Sequence, residues 1–486
     1  MTTSNSSGVR PSIRSRTAPP TSQTLSSPLA ASRRACPPGR SISLATTSAA
    51  SIGVMFPRSR KGRVLVGLLA GAILVTAALA AFLINARDPG DVSNPDVAFT
   101  TEPTVKPQPK PGNENFNWPF YGYDAGRTHN FPLAKPLRPT HKVRWSIGSN
   151  VLLEFNPVAG GKSLFLLKNN ASFYAITRST GEVYWKKMLG NLAASSPAYV
   201  DGVAYCTILV AEKGGSTGRV VAVDPAKGKI LWSKDLASRT ESSPLVRNGV
   251  VYFGSENGTV YALKAKTGKK IWTYQAGGAV KGGVAYANGK LFFGDYGGHV
   301  HGIDAKTGKS IWTAGGGGAL GLGDGQFYGT AAVAFGRVYI GNTNSSVYSF
   351  STSNGELAWR QGTGGYVYSS AAVANVPKLG PTVFIGSYDR RIYALNAKTG
   401  QVRWSKNAGG RISGGIQIIG DLVFYSTLEK KTAALAMGSG RTIWSVPRGQ
   451  FNPAITDGKL LFVNSITTMY AYETKTDGKL NSKPLK

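Results

Sequence analysis

Eight tryptophans recur along the chain at nearly constant intervals, and no other feature narrows the possible folds as much. Trp145, Trp185, Trp232, Trp272, Trp312, Trp359, Trp404 and Trp444 are separated by 40, 47, 40, 40, 47, 45 and 40 residues. A period in this range fits either propeller blades or helical repeats of the HEAT type. Local pattern separates the two. The unit ending at Trp272 reads SSPLVRNG, VVYFGSENG, TVYALKAKTG and KKIW, four short apolar alternations divided by turns at Asn248-Gly249, Asn257-Gly258 and Thr267-Gly268. Asn-Gly supplies the positive φ that two-residue hairpins require. No unit carries a helical i, i+3, i+4 apolar stripe of useful length, which excludes the helical alternative. Glycine, at 61 of 486 residues, is well above the usual ~7% and supplies the turns.

The ends of the repeat set the blade count. After Trp444 the chain continues through GKLLFVNSITTMYAYETK without reaching a further Trp, and KVRW at residues 142–145 stands alone before the first complete unit. The simplest closure pairs these pieces, with the N-terminal strand as the outermost strand of the last blade. The expected fold is therefore all-β, an eight-bladed propeller of four-stranded blades over residues 117–480, with a short tail at 481–486. Closure leaves no sheet end to seed edge pairing. An open array or two smaller propellers are the alternatives, and the spacing shows no central break to favour them.

The N-terminal quarter is organised differently. Residues 1–63 hold ten basic side chains and no acidic one, with much Ser, Thr, Pro and Ala. Such a stretch cannot bury enough apolar surface to offset its chain entropy and reads as a disordered basic tail. Residues 1–54 read equally as a start-site extension, because Met55 opens MFPRSRKGR in the manner of a membrane-inserted protein. From Val64 to Ile84 runs a segment of 21 residues without a charge, which as a helix would span roughly 31 Å and match a bilayer core. Arg58, Arg60, Lys61 and Arg63 flank its N-terminal side. The positive-inside rule then predicts a single-pass anchor in the cell membrane, its N-terminus cytoplasmic and the propeller extracytoplasmic. A cleaved signal peptide cut near Ala80 or Ala86 is the alternative. Residues 85–116, rich in proline, read as an extended linker.

Several repeat phrases carry a family resemblance. AVDPAKGKILW (222–232), ALKAKTGKKIW (262–272) and ALNAKTGQVRW (394–404) share an initial Ala, a Thr-Gly or similar turn and Trp at the eleventh position, and four looser copies follow the pattern. These resemble the repeat of quinoprotein-type, PQQ-like propellers, and in particular their non-catalytic branch, which includes the propeller of the outer-membrane assembly machinery. The resemblance implies that the eight tryptophans dock blade against blade as structural residues. It also implies two functional classes: dehydrogenases that hold pyrroloquinoline quinone and Ca²⁺ in the central funnel, and scaffolds that bind partner proteins.

The residues favour the second class. The enzymes of the family use an Asp base, oxygen ligands for Ca²⁺ and commonly an adjacent half-cystine pair, whereas this chain has only Cys36 and Cys206, far apart. Its acids are sparse: Asp224, Asp304, Asp477, Glu182 and Glu356 lie in or near hairpin turns. Two cysteines and four histidines exclude a disulfide framework and argue against a zinc centre. No catalytic, cofactor or metal-binding residue is assigned. His299 and His301 in GHVHGID read as surface or channel residues, Cys206 as a small buried hydrophobe, and the Gly-rich stretch 315–325 as a connecting loop that lacks a phosphate-binding Lys-Ser/Thr.

A weaker constellation lies where the innermost strands begin. Glu154, Phe155, Glu241, Lys281, Tyr328, Tyr368, Arg411, Gln450 and Phe451 fall at equivalent positions and should ring one mouth of the channel, offering aromatic walls with mixed charge to a peptide loop or a small polar ligand. The formal charge of +32 remains +22 without the tail. Part of it recurs at equivalent turns: Lys227 and Lys229, Lys266 and Lys269, Lys306 and Lys309, and Lys398. Export excludes nucleic acid as the usual partner of such charge. The remaining readings are plain solubility or contact with anionic lipid or an acidic cell-wall polymer. The expected function is a membrane-anchored extracytoplasmic scaffold with an envelope protein or peptide partner, the alternative being a quinone-dependent dehydrogenase with a reduced site.

Overall fold

The computed structural model describes residues 71–72, 74–76, 90–100, 116–315 and 325–475. Among them, eight antiparallel sheets succeed one another along the chain, each a meander running from an inner to an outer strand. Blade three is representative, with Leu245–Arg247 innermost, then Val250–Gly254, Thr259–Lys264 and Lys270–Gln275. The middle strands are buried on both faces and read as unbroken apolar runs such as VVYF, whereas the outer strand alternates. Blade eight takes Ala454–Thr456, Leu460–Asn464 and Thr468–Lys475 from the C-terminus and Arg138–Gly148 from the N-terminus. Ala471 pairs with Trp145 across that junction. The ring also closes at its centre, where Asn452 Nδ2 donates to the Glu154 carbonyl at 3.0 Å and Asn464 Nδ2 to that of Phe155 at 2.8 Å. The propeller and its closure by the N-terminal strand are as the repeat predicts.

The tryptophans form one recurring joint. Each of seven indole rings lies on the turn glycine of the next blade and donates its N–H to a carbonyl beside that turn. Trp272, for example, covers Gly308 and donates to Ala305 O at 3.2 Å; Trp359 covers Gly400 and donates to Ala397 O at 2.9 Å. These glycines have φ between 64° and 80°, which L-residues adopt only with strain. Trp444 meets a different partner, because its neighbour is the two-ended blade eight. It donates to Thr140 O at 3.0 Å and stacks on the His141 ring at 6.0 Å. Trp312, Trp359 and Trp444 are buried, while the other five keep an edge in solvent.

Two N-terminal segments are built into the ring. Val92–Ser93 pairs with the outer strand Leu357–Gly362 of blade five, making that blade five-stranded. Beyond it Arg337, wholly buried, donates from Nε to Ala98 O at 2.6 Å and from Nη2 to Val97 O, with Phe99 against its guanidinium. Part of the stretch expected as linker over 85–116 therefore rests on the propeller.

The second segment, residues 116–131, circles inside the channel. Asn117–Trp118 pairs with the inner strand of blade one, and Asn130–Phe131 pairs in parallel with that of blade seven. Between them Pro119 O, Ala125 O, Gly126 O and Thr128 O accept backbone N–H groups from Tyr199, Tyr286, Val333 and Val373, on the inner strands of blades two, four, five and six. A plug of this kind satisfies inner-strand donors that a hollow channel would leave to water.

The expected tail 1–63 lies outside the described residues, as do residues 481–486. So does the span 64–84, apart from short helical pieces at 71–72 and 74–76. Among the described residues no helix is long and apolar enough to cross a membrane.

Candidate functional site

In an antiparallel meander the start of the inner strand and the turn between the second and third strands share one end of the blade. Both sets of loops therefore converge on one mouth of the channel. The plug closes that mouth from below, with Arg127 at its centre. Arg127 is fully buried, and its guanidinium donates to the carbonyls of Tyr121 (2.6 Å), Val284 (3.0 Å), Ser243 (3.0 Å) and Pro244 (3.1 Å). Four carbonyl acceptors let the charge stay buried without a carboxylate in contact. Burial lowers Arg127 to about 10 and pushes the neighbouring Asp124 carboxyl up to about 6. Burial, reinforced by the nearby guanidinium, holds His129 down to about 3, so its ring is neutral. Its Nε2 and the Oδ1 of Asn156 are buried without a partner beside a void of about 10 Å³. That is close to one water's requirement.

Above the plug sits a cavity of about 60 Å³, floored by Tyr121. The Tyr121 hydroxyl donates to Asn452 Oδ1 at 3.1 Å and lies 3.3 Å from the Ser370 hydroxyl, which fixes the floor to blades six and eight. Small residues preceding each inner strand stitch blade to blade around it. Ser196 Oγ donates to Asn156 O at 2.8 Å, Ser242 Oγ to Gly282 O at 2.9 Å, and Gly415 N to Asn452 Oδ1 at 3.0 Å. These phrases are small because the blades converge, and polar because each must bond its neighbour.

Of the nine residues expected at the mouth, the structure brings together Glu154, Phe155, Glu241, Lys281, Tyr328, Tyr368 and Phe451 around this cavity. Arg411 and Gln450 are not among the lining residues. Arg411 leans outward to Glu429, with Nε 3.0 Å from Oε1, and Gln450 buries its Oε1 without a partner. Thr330, Ser370 and Asn452, from the same inner-strand starts, line the cavity as well, and so does Tyr121, which sequence reasoning missed. The aromatic density of FNWPFYGYDAGRTHNF (116–131) was the available signal, since a solvated linker has no use for six large aromatics in sixteen residues.

The electrostatics of the mouth are uneven. Lys281 Nζ lies 2.8 Å from Glu241 and 3.0 Å from Glu256, a second-to-third-strand turn residue. Burial raises Glu241. It also works against the Lys281 ammonium, but the two carboxylates outweigh it and hold Lys281 above its ordinary range. Glu154 differs: burial raises its carboxyl, and only the Asn169 amide, donating to Oε2 at 3.0 Å, opposes this. A file of tyrosines leads outward from the cavity. Ring centroids are 5.9 Å apart for Tyr296–Tyr328, 5.4 Å for Tyr328–Tyr368 and 4.9 Å for Tyr368–Tyr388. Tyr366, 6.1 Å from Tyr368, is 53% exposed.

This donor set does not fit a quinone held with calcium. Ca²⁺ takes six to eight oxygens, with carboxylates among them. Here Glu241 is committed to Lys281, which leaves Glu154, bonded to Asn169 through Oε2 alone, as the one lining carboxylate with an oxygen to offer, too few for Ca²⁺.

Elsewhere one reading from the sequence is corrected. His301 is neither a surface nor a channel residue. It is buried within blade four, with Nε2 2.9 Å from the fully buried Asp295 and Nδ1 3.0 Å from the Tyr274 hydroxyl. Asp295 also accepts the backbone N–H of His299 at 2.9 Å, so the carboxylate is satisfied in place. Cys206 is fully buried, and burial pushes its thiol up, away from reactivity. The Gly-rich loop lies largely outside the described residues, at 316–324.

Fold and mouth together define a plugged eight-bladed propeller of the PQQ-like repeat type, a cup open at one end. Residues 206–280 and 256–480 match the family model described as outer membrane protein assembly factor BamB, and the chain belongs to that family. Its fold is similar to the crystal structure of BamB from Moraxella catarrhalis, with 17% identity, a TM-score of 0.56 and coverage of 71% of this chain and 99% of that one. It is also similar to quinohemoprotein alcohol dehydrogenase ADHIIG from Pseudomonas putida HK5, with 15% identity, a TM-score of 0.60 and coverage of 77% and 82%. The computationally designed Ika8 protein gives 12% identity, a TM-score of 0.56 and coverage of 70% and 100%. At these identities the likeness is one of fold. No curated protein matches the chain in sequence.

Proposed function

We propose that the protein is an extracytoplasmic binding and assembly scaffold, anchored in the cell membrane through residues 64–84, whose open mouth receives a segment of a partner protein in the envelope. The observation that carries this reading is the plug. A channel sealed by residues 116–131 passes nothing through, so the cavity above it serves contact rather than transport. Family membership supports it, as does the tyrosine file, since exposed tyrosines supply rigid contact area at low entropic cost. The test is a photo-crosslinking residue at Tyr366, introduced into the full chain in its own membrane. Capture of a discrete partner there, and none from a matching position at exposed Val183 on the outer strand of blade one, is the expected result. Uniform capture at both positions, or none, would overturn it. Protease added to spheroplasts should remove the region after residue 86 and spare the N-terminal tail. The dehydrogenase alternative rests on the shared propeller fold and is separated by incubating the protein with pyrroloquinoline quinone and Ca²⁺, where dye reduction with alcohols or sugars would displace the scaffold reading.

A further inference from the structure

Glu154 is the odd member of the mouth. The other carboxylate in the cavity, Glu241, has an ammonium against it at 2.8 Å, whereas Glu154 receives a single side-chain hydrogen bond, from Asn169 to Oε2. Among the described residues no cation contributes to its electrostatic surroundings, and burial dominates them. Its charge acts instead on Tyr121 and Tyr328, which places the carboxylate among the rings lining the cavity. Phe155 and Phe451 complete the wall, and Phe155 packs 6.1 Å from Tyr121.

A carboxylate with an open oxygen beside π faces selects one ligand chemistry. Anions are repelled by Glu154 and by the negative ring faces. Neutral apolar groups would strip water from the carboxylate without replacing it. An organic cation satisfies both elements, through a charge-assisted hydrogen bond to Oε1 and cation–π contact with the rings. The cavity volume of about 60 Å³ accommodates an ammonium or guanidinium head and little more. On a chain of formal charge +32, a mouth with a bare carboxylate also focuses potential for a positive group at one place.

We infer that the mouth is a socket for a single basic side chain, a lysine or arginine presented by the partner protein, with Glu154 as its counter-charge. This rests on the scaffold reading and specifies what the partner must carry. The tyrosine file would then support the backbone flanking that side chain as it leaves the socket.

Titration calorimetry on the full chain in detergent tests it, with acetyl-Gly-Arg-Gly-amide as probe and acetyl-Gly-Gln-Gly-amide as the neutral control. Saturable binding of the arginine peptide alone is expected. Glu154→Gln, which keeps the side-chain shape, should weaken it on the order of tenfold to a hundredfold. Lys398→Gln, at the opposite end of the propeller, should leave it unchanged, and all three proteins should melt alike. Glu154→Asp provides a second variant if the Gln protein melts lower, and its binding should fall between the two. Equal binding of both peptides, no binding of either, or an arginine affinity indifferent to position 154 would each overturn the inference. So would calcium binding that depends on Glu154 while the arginine peptide fails to bind. The Tyr366 crosslink separates the two readings: capture that persists in Glu154→Gln with undiminished yield sinks the socket and leaves the scaffold, whereas loss of capture in every variant, wild type included, sinks the scaffold.

Discussion

At the scale of single residues, the indole–glycine joint allows a clean comparison. A Cβ on Gly308 would lie 2.7 Å from the Trp272 ring, whereas one on Gly289, with a similar φ of 78°, meets nothing. Gly289→Ala should cost only the left-handed backbone penalty, about 1–2 kcal/mol, and Gly308→Ala about 1–2 kcal/mol more as the indole is displaced. Urea melts of the two variants would show it; equal losses would mean that the ring does not need the glycine. The plug makes a second prediction through pH. His129, held down to about 3 against an ordinary 6.5, stays neutral while the unfolded chain takes up a proton, so its stability is present at neutral pH and lost as pH falls from 6.5 towards 3. At pH 4.5 the loss is about 3 kcal/mol. Asp124 works in the opposite sense, because its raised pKa of about 6 contributes stability below 3.8 that is lost as pH rises through 6. Its effect is smaller, since the side chain is half-buried. Relative to the wild type's own change from pH 7 to 4.5, His129→Gln should resist acid and Asp124→Asn should suffer more from it. Thermal melts at the two pH values decide this, and identical pH profiles for all three proteins would contradict it. None of this chemistry shows in the sequence, where His129 and Asp124 read as polar punctuation between aromatics; their burial follows only from where the ring places residues 116–131.

At the scale of elements, three N-terminal pieces hold the ring in different ways, and their legibility differs for a physical reason. The strand Arg138–Gly148 announces itself, because KVRW repeats the outer-strand phrase and its partner Thr468–Lys475 lacks one. The edge strand Val92–Ser93 and the plug have no counterpart in the repeat, so periodicity could not place them. Proline-rich flanks made the first look like linker throughout, and the second bonds the ring mostly through backbone groups, which carry no sequence signature. A truncation series separates their contributions. A protein beginning at residue 101 loses the acceptors of the buried Arg337 guanidinium, Val97 O and Ala98 O, and should lose about 2–4 kcal/mol. Beginning at 134 also removes Arg127 and the plug, and the urea midpoint should fall again by more than the first step. Beginning at 149 takes the outer strand of blade eight and should abolish cooperative unfolding, since it opens an edge in a closed ring. Midpoints that coincide for the first two proteins would show the plug to be an ornament of the channel and not a brace.

At the scale of the whole molecule, the repeat determines that there are two ends but not how charge divides between them. The meander settles that division. Inner-strand starts and second-to-third-strand turns share the mouth end, which carries Glu154, Glu241, Glu256 and Glu429. Third-to-outer-strand turns lie at the opposite end, where the Thr-Gly phrases put Lys227, Lys229, Lys266, Lys269, Lys306, Lys309 and Lys398, all exposed. Blades two, three and four are consecutive, so six of these lysines form one arc, in which Asp224 accepts the backbone N–H of Ala226 and Asp304 those of Lys306 and Thr307. A mouth of mixed charge and a basic far end give the propeller a polarity, and a polar body near an anionic surface turns its basic end towards it. Each lysine close to an anionic bilayer contributes about 1 kcal/mol, reduced as salt screens it. A protein beginning at residue 90 should therefore sediment with phosphatidylglycerol vesicles at low ionic strength, release as salt rises, and ignore phosphatidylcholine vesicles. Replacing Lys227, Lys266, Lys306 and Lys398 with Gln should weaken that binding by roughly a hundredfold, less than the full sum because the four need not touch the surface together, with no change in melting temperature. Glu154→Gln, at the other end, should not alter it. If the four replacements leave vesicle binding intact, or if binding persists unchanged in high salt, the arc is a solvated rim and the polarity has no bearing on how the propeller meets a membrane.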